Sequence, residues 1–577
     1  MTRITNNSFG TRRSYPASTA GLRTGIVLVV VLIVISVLSL AAYTFCDLMV
    51  TQKQATNLST QQIQTRWLVD AGMDSVRLYL MQNKETQAET LGHYDNPDYF
   101  MAVNVIPDLN ADPNSLISHS GNFTIIAPQV DDEGSLMGIR YGLEDESTRL
   151  NMNLLLTADK LIPDGGRTLL MALPGMELLE DPESIADAIM DWIDEDDEPR
   201  EYGAEFDYYQ TLQPPYAPKN GPLETVEELL LVRGMTPELL FGRDLNRNGF
   251  LDELSTTGEA GMGNPLSMGT GGMGTGTGIS AGTGMTSGAT DSGTMGVTPL
   301  DRGWSGYLTL HSKEKNVNAQ GEPRIHLNGD DLKQLHTDLK NVFNEEWANF
   351  IIAYRQASED YDGNDEGVSA SEAKLDLNKS AERPINQVLD LIGKQVTVTG
   401  DGGNEVLRCP FPEEGIIIYI GQLMDNVTVN ESPTIPGRIN INQASRSILM
   451  GIPGMNEDIV EQIIAQRQLE PNPDDPSQQH ETWLMTSLII TLDEMKQLMP
   501  FITTRGDVHR AQIVGYYEDG GATSRAEVVF DATGEVPRIV FWRDISHLGR
   551  GYSLDLLGFS SEGIGAGTMS PPVIPTN

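Results

Sequence analysis

The sequence has 577 residues, of which 39% are hydrophobic, and a formal net charge of −42. The length predicts three or four domains, and the hydrophobic content excludes a wholly disordered chain. The charge argues against nucleic acid as a partner, because phosphate binding requires Lys and Arg, and it favours divalent cations or a cationic partner surface.

Motifs of the common enzyme classes are missing from the sequence. It contains no HExxH, Walker loop, GxSxG or Cys-x-x-Cys pattern. Its two cysteines, Cys46 and Cys409, exclude a disulfide framework but leave room for one long-range bridge. We therefore predict a protein without enzymatic activity.

The N-terminal segment predicts a membrane anchor. A leader that carries four Arg and no acidic residue precedes an unbroken apolar run from Ile26 to Phe45. Roughly 20 apolar residues are enough to cross a bilayer, and no small-x-small cleavage site interrupts the run. The basic leader places the N-terminus in the cytoplasm and everything after Cys46 outside.

The helix is expected to continue beyond the membrane to about Gln82. Val69, Met73, Val76 and Leu80 form one apolar stripe at helical spacing. One interpretation is an anchor with a stalk. The other is a helix that packs in a filament and then against its own globular head.

The rest of the chain divides by composition and periodicity into segments. Two strands near residues 122–127 and 138–143 predict a hairpin, and three strands near 508–517, 525–531 and 537–542 predict a meander. Between them lie two mainly helical regions and two Gly-rich stretches, of which the second, 359–371, is acidic and expected to be loose. The predicted segments are a leader (1–25), a transmembrane helix (26–46), its extension (47–82), a core hairpin (83–148), an acidic α-helical domain (149–254), a Gly/Met/Thr/Ser-rich flexible loop (255–298), a second α-helical region (299–505), a C-terminal β-meander (506–556) and a tail (557–577).

A weak repeat occurs three times, opening at Arg149, Arg324 and Arg438 with the pattern Arg-(Leu/Ile)-(Asn/His)-x-Asn. In the third copy a Pro-Gly turn and a helix follow, so residues 438–468 predict a helix-hairpin-helix-like unit. Such units offer backbone N–H groups to phosphate in DNA-binding proteins, and they also serve as plain packing units. The acidic balance of the chain favours the structural or protein-binding interpretation.

Two acidic segments are candidates for calcium, because calcium takes six to eight oxygen ligands. A solvated acidic loop and an Asx-rich turn are the simpler interpretations of the two. The second segment resembles an EF-hand loop with Gly249 at its sixth position, but Ser255 replaces the usual Glu at the twelfth. The candidate ligands are Asp191, Asp194, Asp196, Asp197, Glu198, Glu201, Glu205 and Asp207 in the first segment, and Asp244, Asn246, Asn248 and Asp252 in the second.

Three blocks of the sequence resemble the K-type minor pseudopilin of the type II secretion system, general secretion pathway protein K. They are the leader and apolar helix around Gly25, the long block from Ala186 through Pro199 to Met235, and Asn440–Ala444 with the Pro-Gly turn that follows. The resemblance covers residues 20–240 well and residues 300–470 loosely.

The resemblance implies an α+β fold with a long N-terminal transmembrane helix, an antiparallel-sheet pseudopilin core, and a large α-helical insertion with helix-hairpin-helix-like (SAM-like) units. It also implies that a prepilin peptidase cleaves between Gly25 and Ile26 and that the new N-terminus is methylated. Val30 then holds the fifth mature position, where most pseudopilins carry Glu, and the K type shares this difference. In the family a basic residue directly precedes the cleavage Gly, whereas here Thr24 does.

The implied function is that of a minor pseudopilin at the tip of the pseudopilus, which initiates or caps the filament that drives protein export across the outer membrane. The implied partners are the I- and J-type minor pseudopilins, the major pseudopilin, the prepilin peptidase and the inner-membrane secretion platform, without nucleic acid. The implied location is the bacterial inner membrane, single-pass, with most of the chain periplasmic, and calcium is the one expected cofactor. Two alternatives are a membrane-anchored helix-hairpin-helix DNA receptor and a type IV pilus tip subunit.

Overall fold

The computed structural model describes residues 23–107, 120–252, 298–358, 360–361, 367–400, 403–470, 476–518 and 520–559. The chain divides into two units, residues 1–64 and 65–577. Several predictions fall mainly outside the described residues. They concern the leader up to residue 22, the Gly/Met-rich loop, much of the loose stretch at 359–371, and the tail from residue 560.

The predicted N-terminal helix is present as one 58-residue helix, α1, Arg23–Leu80. In the first unit its side chains from Val27 to Thr60 are all exposed. Within the described residues, α1 is the one helix long and apolar enough to cross a membrane. A single N-terminal apolar helix therefore suits a single-pass anchor.

The second unit combines short helices with strands. The helices after α1 are α2 Lys84–Glu89, α3 Pro97–Phe100, α4 Leu155–Leu161, α5 Gly165–Met171, α6 Pro182–Ile193, α7 Phe206–Tyr209, α8 Pro237–Phe241, α9 Leu332–Val342, α10 Glu345–Gln356, α11 Ile416–Asn426, α12 Arg446–Gly451, α13 Glu457–Gln466, α14 Trp483–Thr486 and α15 Leu492–Leu498. The strands are β1 Val103–Ile106, β2 Gly121–Val130, β3 Leu136–Arg140, β4 Glu144–Asp145, β5 Leu150–Asn151, β6 Leu308–Thr309, β7 Lys313–Lys315, β8 Ile325–His326, β9 Val396–Gly400, β10 Gly403–Leu407, β11 Val427–Thr428, β12 Thr434–Pro436, β13 Ile439–Asn440, β14 Ile502–Thr503, β15 Val508–Tyr517, β16 Thr523–Asp531 and β17 Arg538–Asp544.

The predicted hairpin and the predicted meander form one antiparallel sheet. Its strand order is β1-β2-β15-β16-β17, with β3 beside β2 and β4 beside β15. Ile513 in the central strand β15 lies opposite Ile125 of β2 and Ala526 of β16. The first and the last strands of the chain thus share one core, which confirms the predicted antiparallel-sheet core.

The part of α1 in the second unit packs on this sheet. Val69, Val76 and Tyr79 are buried in one cluster with side chains of β2, β15 and β16. The helix and the sheet approach closely, since a Cβ on Gly72 would lie 2.5 Å from Cγ2 of Ile513. The predicted stripe of this helix is therefore its core face.

A large, mainly helical insertion separates β4 from β15, and it contains the three repeats. Each repeat opens with a two-residue strand that pairs in parallel with a two-residue strand further along the chain: β5 with β6, β8 with β11, and β13 with β14. In the first two repeats, the last Asn of the pattern forms two hydrogen bonds with the backbone of a residue far along the chain. Asn153 bonds both the N–H and the C=O of Leu223, and Asn328 does the same to Ile385. Repeated local geometry thus explains the recurring sequence pattern.

The predicted helix-hairpin-helix-like unit is present as α12, a tight turn and α13. Gly454 in that turn has φ +94°, a conformation that favours glycine. The pair α5 and α6 is joined by a similar turn with Gly175 at φ +83°. These two helix pairs contact each other, because a Cβ on Gly451 of α12 would lie 2.8 Å from the Cβ of Ala172, which follows α5.

Candidate metal centre

The first acidic segment begins on α6, whose side chains from Ser184 to Ile193 are all buried. The sequence predicts an apolar face on this helix, and the side chains of that face lie in the core: Ile185, Ile189, Trp192 and Ile193. The opposite face is polar and buried as well. Asp187 is 1% exposed and Asp191 is 0% exposed.

The chain after α6 folds back over this polar face and covers it. The backbone N–H of Arg200 lies 3.3 Å from each carboxylate oxygen of Asp191 and donates to them, and the N–H of Tyr202 donates to Asp187 at 3.2 Å. Gly203 passes so close that a Cβ there would lie 1.8 Å from Oδ2 of Asp191. The return loop therefore has room for only a glycine at this point.

Three carboxylates converge where the loop meets the end of α6. Oxygens of Asp191, Asp194 and Glu205 all lie within 4.8 Å of one another. Glu205 is 4% exposed, and neither of its carboxylate oxygens has a hydrogen-bond partner. Oδ1 of Asp194 is also buried without a partner. We call Asp191, Asp194 and Glu205 the acidic cluster.

The acidic cluster has too little positive charge of its own. Arg200 is the nearest cation, but its Nη2 bonds Asp159 at 2.9 Å, while its Nε stays 3.6 Å from Asp191 and 4.0 Å from Asp194. Burial and the neighbouring carboxylates disfavour ionisation. Burial raises the pKa of Asp191 to about 6. Burial and the nearby Asp196 and Asp191 raise the pKa of Asp194 to about 7.

Glu205 shows the same effect most simply. Burial, and then Asp191 and Asp194, raise the pKa of Glu205 to about 7. Buried carboxylates without hydrogen bonds are costly unless a cation joins them. A hard dication with oxygen ligands fits this donor set, since it would supply the missing charge and the missing partners.

The other predicted ligands of the first segment do not enter the cluster. Asp196 accepts the N–H of Glu198, and Asp197 accepts the side-chain amide of Asn220, at the surface. Glu198, Glu201 and Asp207 are exposed. The density of acidic residues in the sequence thus overestimates how many carboxylates lie close together in the structure.

The second predicted site is a loop that already satisfies its own carboxylates. Asp244 accepts the N–H groups of Asn248 and Gly249, and Asp252 accepts from Leu245 and Asn246. The four predicted ligands do share this loop. Among the described His, Cys, Asp and Glu residues, however, the only group of three or more close enough to hold a metal is the acidic cluster.

Sequence reasoning missed the residues that shape the cluster from outside. Asp187, Arg200 and Gly203 were not candidates, although each fixes the return loop against α6. Arg167 lies 3.5 Å from Asp187 and balances that carboxylate. The one sequence signal was the Gly-Ala-Glu that places Gly203 two residues before Glu205.

The helix-hairpin-helix-like unit offers little to a phosphate backbone. Arg446 pairs with Glu461 and lies 3.6 Å from Glu457, and Arg467 pairs with Asp132. Arg438, whose side chain is 11% exposed, lies between Glu314 and Glu481. The three arginines of residues 438–468 are all paired with carboxylates, and the alternative of a DNA receptor finds no support.

Comparisons with known proteins identify one part of the chain. A family model described as type II secretion system (T2SS), protein K, matches residues 148–241, which include the whole acidic cluster. No curated relative matches. The chain is similar to one in the crystal structure described as the GspK-GspI-GspJ complex from the enterotoxigenic Escherichia coli type 2 secretion system. The identity is 11%, over 85% of this chain and 99% of that chain, with a TM-score of 0.31.

Proposed function

Because this chain belongs, by its residues 148–241, to the protein K family of the type II secretion system, we propose that it initiates or caps the pseudopilus at its tip. Its role is that of a minor pseudopilin. The observation that carries the tip assignment is the insertion between β4 and β15, which extends from residue 146 to residue 507. So large an addition to a pilin-like sheet suits a subunit that stands once at an end.

The anchor supports a location in the inner membrane. The apolar part of α1 follows a basic leader, so the N-terminus is assigned to the cytoplasm and the second unit to the periplasm. Cleavage between Gly25 and Ile26 would free Ile26 as the mature N-terminus. Val30 would then leave the bundle without the carboxylate that most pseudopilins place there.

The proposed partners are other subunits of the same filament. The solved complex joins its GspK to GspI and GspJ, and we extend that arrangement to I- and J-type minor pseudopilins here. The major pseudopilin, the prepilin peptidase and the inner-membrane platform complete the set. The role is structural, and we assign the chain no enzymatic activity.

We also assign calcium to the acidic cluster. Asp191, Asp194 and Glu205 would hold it, and the ion would supply charge and oxygen coordination at a point where α6 and its return loop meet. Glu205, with two buried and unpartnered oxygens, supports this assignment most directly. The ion would fix the return loop rather than take part in a reaction.

The test of the proposed function is the N-terminal sequence of the full chain co-expressed with its own prepilin peptidase. We expect a mature chain that starts at Ile26. A Gly25→Leu variant serves as the control, since it removes the residue before the cut and should stay unprocessed. A parent chain that still starts at Met1 or Thr2 would contradict the assignment and return the protein to the class of single-pass anchored receptors.

A further inference from the structure

The last strand of the sheet, β17, has a free side. It is the end of the strand order, and among the described residues it pairs only with β16. Within those residues, no backbone N–H or C=O of Arg538–Asp544 bonds anything other than β16. A free strand edge is a template for another extended chain.

The free edge of β17 is apolar along its middle. Ile539 and Val540 are each 40% exposed, and Trp542 is 53% exposed. Charges that commonly protect an edge stand near the ends, at Arg538 and Asp544. The middle of the strand is thus open to pairing, with large side chains that a partner strand would cover.

The face of β17 turned toward the insertion borders a cavity. Phe541 and Arg543 line this cavity, which holds about 360 Å³ between the sheet and the insertion. Its lining includes apolar side chains from the insertion, among them Val226, Phe241 and Leu310. A side chain that extends from a strand added to β17 would meet this space.

A chain of ion pairs runs along the cavity, and this chain has five arginines for four glutamates. In order its members are Arg302, Glu144, Arg149, Glu146, Arg510, Glu527, Arg247, Glu227 and Arg543.

Two further carboxylates border the cavity outside this chain of ion pairs. Glu224 has a side chain that is 85% exposed and shares Lys219 with Glu228, and Asp244 lies near Arg525. Arg543 ends the chain of ion pairs with a single partner, Glu227, at 2.5 Å. Its side chain is 27% exposed.

We propose that β17 binds an extended strand of a partner polypeptide, which has an Asp or Glu directed at Arg543 in the cavity and apolar residues over Ile539 and Trp542. Strand addition of this kind takes affinity from main-chain bonds and specificity from pockets for alternate side chains. The proposal rests on the proposed function, since a filament subunit would supply the strand.

A second copy of this chain does not meet the requirement. The strand that it would add is another β17, whose one carboxylate is Asp544 at its end. Such a pair would bring a second Arg543 to the interface instead of a carboxylate. Arg543, which has a single partner and is partly exposed at the end of the chain of ion pairs, therefore favours a different, acidic strand.

The test uses the full chain in detergent micelles, mixed with the purified I- and J-type minor pseudopilins of the same secretion system. Hydrogen exchange is followed by mass spectrometry. We expect the amides of 538–544 to exchange at least tenfold more slowly in the complex, while those of β1 at the opposite edge keep their rates. Trp542→Lys and Arg543→Gln should each weaken binding at least tenfold, and Arg543→Lys should retain most of it.

Val105→Lys is the matched control, because Val105 is 42% exposed on the opposite edge strand and should leave binding unchanged. Thermal melting of each variant checks that the fold is intact. A complex that forms with unprotected β17 amides would overturn the proposal and leave the proposed function standing. Absence of any complex would remove both. Protection that grows with the concentration of this chain alone would assign the edge to a second copy and also overturn the proposal.

Discussion

Two carboxylate-rich regions of the second unit differ in the groups that neutralise their negative charge. Along the cavity, Glu144, Glu146 and Glu527 are buried, and each is matched to arginines. In the acidic cluster, Asp191 and Glu205 are as deeply buried, but the nearest guanidinium is turned to Asp159. The first region supplies its own cations and the second does not.

The electrostatics of the two regions follow this difference. Burial alone would raise the pKa of Glu144, but Arg149 and Arg302 outweigh it and lower that pKa to about 2. In the acidic cluster no such cation outweighs burial, and the pKa of Glu205 rises to about 7. A buried carboxylate is thus informative about ligands only when its own partners have been counted.

Removal of a cation from the paired region should have the largest effect. Arg510→Met would remove the guanidinium that bonds Glu146, which is 0% exposed, and would leave Glu527 with Arg247 alone. Breaking a buried pair in this way costs about 3–5 kcal/mol of unfolding free energy. Chemical denaturation of the full chain in micelles measures it.

The control for that loss is Arg446→Met. Arg446 pairs with the exposed Glu461, and its other acidic neighbours, Glu133 and Glu457, are exposed too. Exposed pairs contribute less than about 1 kcal/mol. Equal losses of unfolding free energy for Arg510→Met and Arg446→Met would show that the buried chain of ion pairs stabilises the fold no more than an exposed pair does.

Addition of a cation to the unpaired region should have the next largest effect. Calcium at a hundred times its dissociation constant would raise the unfolding free energy by about 2.7 kcal/mol if it binds only the folded chain. Glu205→Gln should abolish this gain, and the exposed Glu201→Gln should keep it. Melting curves with calcium and with a chelator compare the three chains; a full gain in Glu205→Gln would place calcium elsewhere.

Acidity should separate the two regions without any metal. The raised pKa values mean that the folded cluster binds protons between about pH 7 and pH 5 while the unfolded carboxylates, with pKa near 4, do not. The calcium-free chain should therefore gain on the order of 2 kcal/mol as the pH falls through this window.

The paired glutamates respond in the opposite sense and at lower pH. With the pKa of Glu144 and Glu527 lowered to about 2, their contribution is present above about pH 5 and is lost only in stronger acid. Stability measured against pH for the parent and Glu205→Gln isolates the cluster. Parallel curves for the two chains from pH 8 to pH 5 would contradict the assignment of this slope to Glu205 and its neighbours.

The smallest effect is expected at the second predicted calcium loop. Asp252→Asn weakens the bonds that Asp252 accepts from Leu245 and Asn246, at about 1 kcal/mol. Because that loop satisfies its own carboxylates, the calcium-dependent shift in melting should stay as in the parent. If the shift disappeared, the second loop and not the acidic cluster would be the metal centre.

Much of the fold could be predicted because its signals are local. The apolar run predicted the first half of α1, and the turn residues 518–521 between two strand-like segments predicted β15 with its observed bounds, Val508–Tyr517. The pairing of β15 with β2 was not predicted, since it depends on residues that are far apart in the sequence. The same limit applies to the three parallel pairs of two-residue strands.

The candidate site was predicted in composition but not in geometry. The density of carboxylates after Asp191 was visible in the sequence. Which of them lose their partners depends on the return loop, on Gly203 and on the direction of the Arg200 side chain, and none of these is a local property. The sequence therefore indicated the right segment and too many ligands.

The position of β15 governs when the head can fold. This strand is central, in contact with β2, β4 and β16, yet it is synthesised only after the whole insertion. Until Val508–Tyr517 emerges, the strands before the insertion have only each other to pair with, and α1 lacks most of the surface on which it packs. The pairing of β15 with β2 and β4 therefore takes place only after the insertion has been synthesised. A chain that ends before β15 has its membrane anchor but lacks a complete sheet core.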